Sequence, residues 1–494
     1  MDIGQQRFVF LKLLSASILA TALLVMWGSQ VTGSPITADA AQSLQMAINL
    51  ERHGTISMEP EAPFVPTNYR EPLPPILSAL TLKLIDSAIG QAPPESYFAG
   101  PRAQYVKYQN LLWLTLFSLS VFWVTEQFTS SFVAGLIAVV LVNVPLRPHA
   151  PPGPIDSLLT EIPSLWLLVA ASATLALGLE RGKLALLALS GALFGCLALV
   201  KAVGFYVVLG LVMIPPCLYF LRRPRVPLGA ALRQSALLLG AFACVVGPWM
   251  YRNHVQIGSF AITQRGGESL FERSLEDQMS RQEYLGAIYL WAPLLQKPLG
   301  KRLGFSAKDV LRGGRLERLN NDTETGLSQE DLAFERLGEP ERTVTFFRQA
   351  RAEREKLEHD LEVAGAAHPD MQADERLKSR AFATFAQHPW RHLLLSPLFL
   401  WRGGAQTTLI LLVVLLCSAK LRRTDLVLLS LPTLAMVAAY ALFSPFFPRY
   451  GLPMHLMAIV LLVIVSALLW QAVAHRMIPR AATVPALKHP PAVT

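Results

Sequence analysis

The chain has 494 residues, of which 52% are hydrophobic and only 16% charged. Soluble domains carry about a quarter charged residues, and several uninterrupted apolar runs here reach the length needed to cross a bilayer. That excludes an ordinary soluble enzyme and predicts an all-α polytopic membrane protein. The net charge of +9 does not point to nucleic acid, because much of it sits in short loops between apolar runs, where Lys and Arg set topology.

In chain order, Arg7 and Lys12 precede an apolar core, and the run 8–27 is followed by no small-residue cleavage site; it reads as a retained span. Further spans are expected at about 106–125, 131–147, 163–179, 184–200, 204–221, 233–250, 405–419, 425–443 and 452–470, about ten in all. Short basic connections cluster on one side: Arg181 and Lys183; Arg222, Arg223, Arg225 and Arg233; Lys420, Arg422 and Arg423; Arg476 and Arg480. Placing them in the cytoplasm puts both termini inside and turns 28–105, 148–162, 251–404 and 444–451 outward. Cys196, Cys217, Cys244 and Cys417 all fall in apolar runs and read as buried thiols, without disulfide or zinc spacing.

The first external segment holds one short helix. Asp39 is placed to cap it, with Gln42 three residues on completing a capping box; Leu44, Ala47, Ile48 and Glu51 recur at helical spacing, and Gly54 supplies the stop. A short amphipathic helix beside a membrane is expected in the interface, as is the apolar segment 76–92, which carries Lys83 and Asp86. Between them, Asn68-Tyr69-Arg70-Glu71-Pro72-Leu73-Pro74-Pro75 sets an aromatic, a cation and an anion on a backbone stiffened by prolines.

Six places carry chemistry. Asp39 is either a helix cap or an ionised general base, and the two are compatible. Glu161, in Leu159-Thr160-Glu161-Ile162-Pro163, suits both the first turn of a helix and a site. Lys201 interrupts two apolar runs, so it either snorkels at a tight turn or meets an anion. Arg70 either forks onto a phosphate or pairs with Glu71 or a headgroup. Trp249 reads as an interfacial anchor, with Arg252 and Arg265 following it. Arg449, in Phe447-Pro448-Arg449-Tyr450, faces either a cavity or headgroups. The stretch Glu341–Glu362 has the i,i+4 charge pairing of a solvated surface helix.

"DAAQSLQMAINLERHGTIS" followed by "YREPLPPILSAL" resembles the first external loop of the GT-C membrane glycosyltransferases, and more narrowly the branch of protein O-mannosyltransferases and bacterial lipid A aminoarabinose transferases. "LLTEIPSLWLLVA", Lys201 after Gly191 and Gly195, "GPWMYRNHVQIGSFAITQRGGESLF" and "FPRYGLP" are similar to later segments of that family, in the same order. Glu71 departs from it, since proline or lysine more often stands there.

The resemblance implies an N-terminal GT-C-like module over 1–253, a mostly helical external segment over 254–404 and C-terminal membrane helices with a cytoplasmic tail over 405–494. It implies transfer of a sugar from a polyprenyl-phosphate donor to a glycan, lipid or protein acceptor outside a bacterial inner membrane, with inversion. Asp39 would be the base, with Glu161 a second acid of the site. Arg70, Glu71, Lys201, Arg252, Arg265 and Arg449 would hold the donor. No cofactor is expected and a divalent metal stays open, as no histidine or Asp-x-Asp metal spacing occurs; membrane lipids are expected partners and nucleic acid is not. The alternative is a transporter or lipid-handling protein that makes and breaks no bonds.

Overall fold

The computed structural model describes residues 3–146, 153–221, 227–291, 296–320 and 326–477. Arg222, Arg223, Arg225, Arg480 and part of the loop expected at 148–162 lie outside them. Among the described residues the secondary structure is helical, with no strand. Seven helices among the described residues are long and apolar enough to cross a membrane: Pro101–Thr129, Glu161–Arg181, Val203–Leu221, Leu228–Ile257, Pro389–Lys420, Thr424–Phe443 and Pro448–Ala474. The other three expected spans fall on shorter apolar helices, Ser17–Gly28, Phe132–Asn143 and Leu184–Val200.

Glu161–Arg181 is the central helix, with 83% of its most apolar window buried, against 28% for Leu228–Ile257 at the periphery. Leu165, Leu168 and Leu175 are sealed in one continuous core with Phe117, Val121, Phe194 and Met457. Close approach is set by small residues. A Cβ on Gly191 would stand 2.3 Å from the Leu238 carbonyl oxygen, so the Leu184–Val200 and Leu228–Ile257 helices cross nearly backbone to backbone.

The segment 29–100, between the first two apolar helices, folds against the ends of these helices. Its helix runs Ala38–His53 and stops at Gly54 in the left-handed region, φ 68°, as the glycine requires. Leu44, Ala47 and Ile48 bury one face against Leu82, Tyr97 and Val106. The expected cap is corrected: Thr37 holds the cap position without a side-chain bond and Asp39 lies in the first turn. Its carboxylate and Gln42 turn to arginines instead. A charge-assisted hydrogen bond contributes about 1.5–3 kcal/mol, against about 1 kcal/mol or less for the helix dipole.

Beneath that loop, Lys107 is fully buried and donates to the carbonyls of Thr32 and Ser34 and to Asp156 Oδ1 at 3.1 Å. Asp156 also accepts from Thr32 N, 2.7 Å, and Ser34 Oγ, 2.7 Å. This satisfied cluster ties the loops holding Thr32 and Asp156 to the start of the Pro101–Thr129 helix.

Three expectations are corrected here. The Pro389–Lys420 helix begins well before residue 405, and that boundary falls on a break at Gly404, φ 157°, as a glycine pair permits. Cys217 and Cys244 are exposed, Cys196 and Cys417 half-buried, all with free thiols, because apolar helices in a bilayer face outward as readily as inward. The helix at Phe346–Val363 is not a wholly solvated surface: Phe346, Arg348, Ala350 and Arg354 are buried against the Gly266–Glu276 helix.

Candidate functional site

The site is assembled at one end of the central helix. Glu161 opens that helix and is 4% exposed. Lys201, 5% exposed, ends the Leu184–Val200 helix in an extended conformation, so its side chain turns inward. Lys201 Nζ donates to Glu161 Oε1 at 2.9 Å and sits 5.1 Å from the Tyr450 ring centroid. The turn continues through Ala202, whose N–H donates to Glu71 Oε1 at 3.3 Å.

Asp39 lies beside this pair at the centre of three guanidiniums. Arg70 Nη2 donates to its Oδ1 at 2.5 Å, Arg265 Nη1 to the same oxygen at 3.2 Å, and Arg449 Nη2 to Oδ2 at 2.8 Å. Arg70 Nε also donates to Gln42 Oε1 at 2.8 Å. Burial by itself would raise the Asp39 carboxyl, but the three cations outweigh it and hold it well below the usual carboxylate range. The four side chains come from 410 residues of chain and carry a net charge of +2, in a setting where fixed charges act more strongly than in water.

These groups face a cavity of about 760 Å³. Asp39, Arg70, Glu71, Glu161, Lys201, Arg265 and Arg449 all line it. Arg252 does not. It donates to the Thr67 carbonyl at 3.0 Å and stacks over Trp249 at 4.8 Å, strapping the Thr67 loop to the end of the Leu228–Ile257 helix. Trp249 is buried rather than anchored at an interface, its Nε1 donating to the Ile262 carbonyl at 2.9 Å.

Several site residues escaped the sequence reading. Tyr69 stacks under Arg70, Arg265 and Arg354, with centroid distances of 5.5, 5.6 and 4.8 Å. Its hydroxyl accepts from Arg354 Nη1 at 2.8 Å, and the same nitrogen donates to Glu268 Oε2 at 2.9 Å. Burial raises the Glu268 carboxyl, yet Arg265, Arg354 and Arg351 together bring it below its ordinary value. The sequence held hints of both: Tyr69 stands next to Arg70 in the proline-stiffened stretch, and Glu268, Glu272 and Glu276 recur at four-residue intervals. A second cavity of about 610 Å³ lies across this wall and shares Gln42, Glu268 and Arg351 with the first. Among the described residues no group of three His, Cys, Asp or Glu side chains is placed to hold a metal ion.

No family model, curated protein or solved structure matches this chain.

Proposed function

We propose that the protein is a membrane glycosyltransferase of the GT-C type, with about ten spans, that moves a sugar from a polyprenyl-phosphate carrier to an acceptor on the extracytoplasmic side. The observation that carries the reading is the Asp39 cluster: one carboxylate, three guanidiniums and a net +2, opening on a cavity large enough for a sugar phosphate.

The charge balance favours transfer over mere binding. A polyprenyl phosphosugar is a monoanionic diester, whereas the leaving polyprenyl phosphate is a dianion. A fixed charge of +2 therefore stabilises the transition state more than the bound donor, which is the condition for catalysis. Phosphate oxygens competing for Arg265 and Arg449 release Asp39 from part of its pairing and restore its basicity. The acceptor oxygen then attacks the anomeric carbon, its proton passes to Asp39, and the anomeric carbon–oxygen bond breaks with its electron pair going to the phosphate. Attack opposite the leaving group inverts the anomeric centre. Arg70, held by Gln42, keeps Asp39 oriented throughout. Lys201 and Glu161 fix the turn that presents Ala202 to Glu71, and Lys201 adds a cation to the phosphate side.

Sidedness follows from charge. Glu161 and Arg181 stand at opposite ends of a helix of 21 residues, about 30 Å long, which matches a hydrocarbon core. With Arg181 and Lys183 inside, the site faces outward, where nucleotide sugars are absent and lipid-linked donors are needed. Tyr206, Phe382 and Phe443 line the cavity and are partly exposed, an apolar margin suited to a prenyl chain, while the acceptor approaches from the second cavity.

The test is incubation of the purified protein and acceptor membranes with radiolabelled polyprenyl phosphosugars. The proposal expects label to leave the carrier and enter an acid-stable product. If label stays on the carrier with every sugar and acceptor source tried, while the protein still binds the lipid, the lipid-handling alternative replaces it.

A further inference from the structure

Glu272 has no role in the reaction above, yet it stands on the wall of the same cavity. It is the middle member of an acidic stripe on the Gly266–Glu276 helix. On either side the stripe is neutralised: Glu268 by Arg354 at 2.9 Å, Glu276 by Arg402 at 2.7 Å. Glu272 is 5% exposed, has no ion pair within 4 Å among the described residues, and its Oε1 has no hydrogen-bond partner. A buried polar atom left unpaired costs about 1–3 kcal/mol, and such exceptions call for an explanation.

Position and chemistry narrow the explanation. Arg265, at the start of the helix, touches Asp39, and seven residues at 1.5 Å each set Glu272 roughly 10 Å further along the wall. That matches one sugar ring followed by the reach of a glutamate side chain. Burial and the neighbouring Glu276 carboxylate push the Glu272 carboxyl well above its ordinary range. A neutral carboxyl group both donates and accepts. It suits a hydroxyl, which also does both, better than a phosphate, which only accepts, or a prenyl chain, which does neither.

We propose that Glu272 reads a hydroxyl of the donor's sugar through its carboxyl group on the cavity wall. The inference rests on the donor reading above, and it makes Glu272 a specificity residue rather than a catalytic one.

The test uses the full chain in nanodiscs with undecaprenyl phosphate and its glucosyl, mannosyl and arabinosyl phosphodiesters, comparing wild type, Glu272→Gln and Glu272→Leu. Wild type is expected to bind at least one sugar-bearing lipid more tightly than bare undecaprenyl phosphate. Glu272→Leu should lose about tenfold of that preference with binding of the bare lipid unchanged. Glu272→Gln, which still donates and accepts, should keep most of it. Retention of the full preference by Glu272→Leu overturns the inference, as does equal weakening of bare and sugar-bearing lipid. Wild type binding all four lipids alike overturns it while leaving the phosphate site standing. Wild type binding none of them removes the donor reading, and this inference with it.

Discussion

Lys201→Met tests whether the buried pair is structural, functional or both. Glu161 and Lys201 have side chains 6% and 7% exposed and meet at 2.9 Å. With an effective dielectric of about 20, the attraction of such a pair is on the order of 5 kcal/mol, most of it offset by desolvation. Removing one partner leaves the other charge buried and uncompensated, at a cost of about 3–5 kcal/mol. Lys201→Met and Glu161→Gln should each lower the denaturation temperature in detergent by many degrees. The double variant removes both charges and should recover most of that loss. It should not recover sugar transfer, because the cation facing the phosphate is gone. Fluorescence-detected thermal melts and transfer assays on the same four preparations decide it. A double variant with wild-type stability and wild-type transfer would refute a substrate role for Lys201. One as unstable as either single variant would refute the uncompensated-charge argument.

Other predictions concern the scaffold. Asp374 accepts from Gly267 N at 2.8 Å and, mainly through burial, its carboxyl is raised from 3.8 to about 7. A raised carboxyl contributes its stability fully below the unfolded value and loses it as pH rises through the folded one. Thermal stability should therefore fall between about pH 4 and 7, by about 4 kcal/mol at most from this group. Asp374→Asn, which keeps the accepting oxygen, should flatten the fall; equal slopes in both proteins would count against it. Lys107→Met should cost about 3–5 kcal/mol by stranding the buried Asp156 carboxylate, read as earlier proteolysis of the loops holding Thr32 and Asp156. Gly191→Ala should cost about 1–3 kcal/mol, because a Cβ cannot share space with the Leu238 carbonyl; an unchanged melting temperature would show that the helices separate freely.

The apolar helices were legible because hydropathy is a local property of the chain. Their ends were less so. Nothing local says that the helix holding residues 405–419 starts at Pro389 and merely breaks at Gly404. In the site, Asp39, Glu161 and Lys201 stood out as charges at the edges of apolar runs. Which partner each takes is a long-range matter: Arg449 reaches Asp39 from 410 residues away, and Arg354 reaches Tyr69 from 285 away. The Phe346–Val363 helix was misread for the same reason. Its i,i+4 pairing is real, with Arg354 and Glu358 at 2.5 Å, but the same guanidinium also serves a buried neighbour. Arg252 shows the reverse error, a cation at a span end that straps the loop beside it to Trp249 and does not line the cavity.

The central claim is that Asp39 removes the acceptor's proton. The direct measurement is single-turnover transfer of radiolabelled sugar from its polyprenyl phosphate, comparing wild type with Asp39→Asn at matched abundance and protease resistance. General-base catalysis is worth about 10²–10⁴-fold, so the account predicts a loss of that size with binding of the donor lipid retained. Transfer at the wild-type rate by Asp39→Asn would contradict it, leaving Asp39 as a counter-ion that holds three arginines in place.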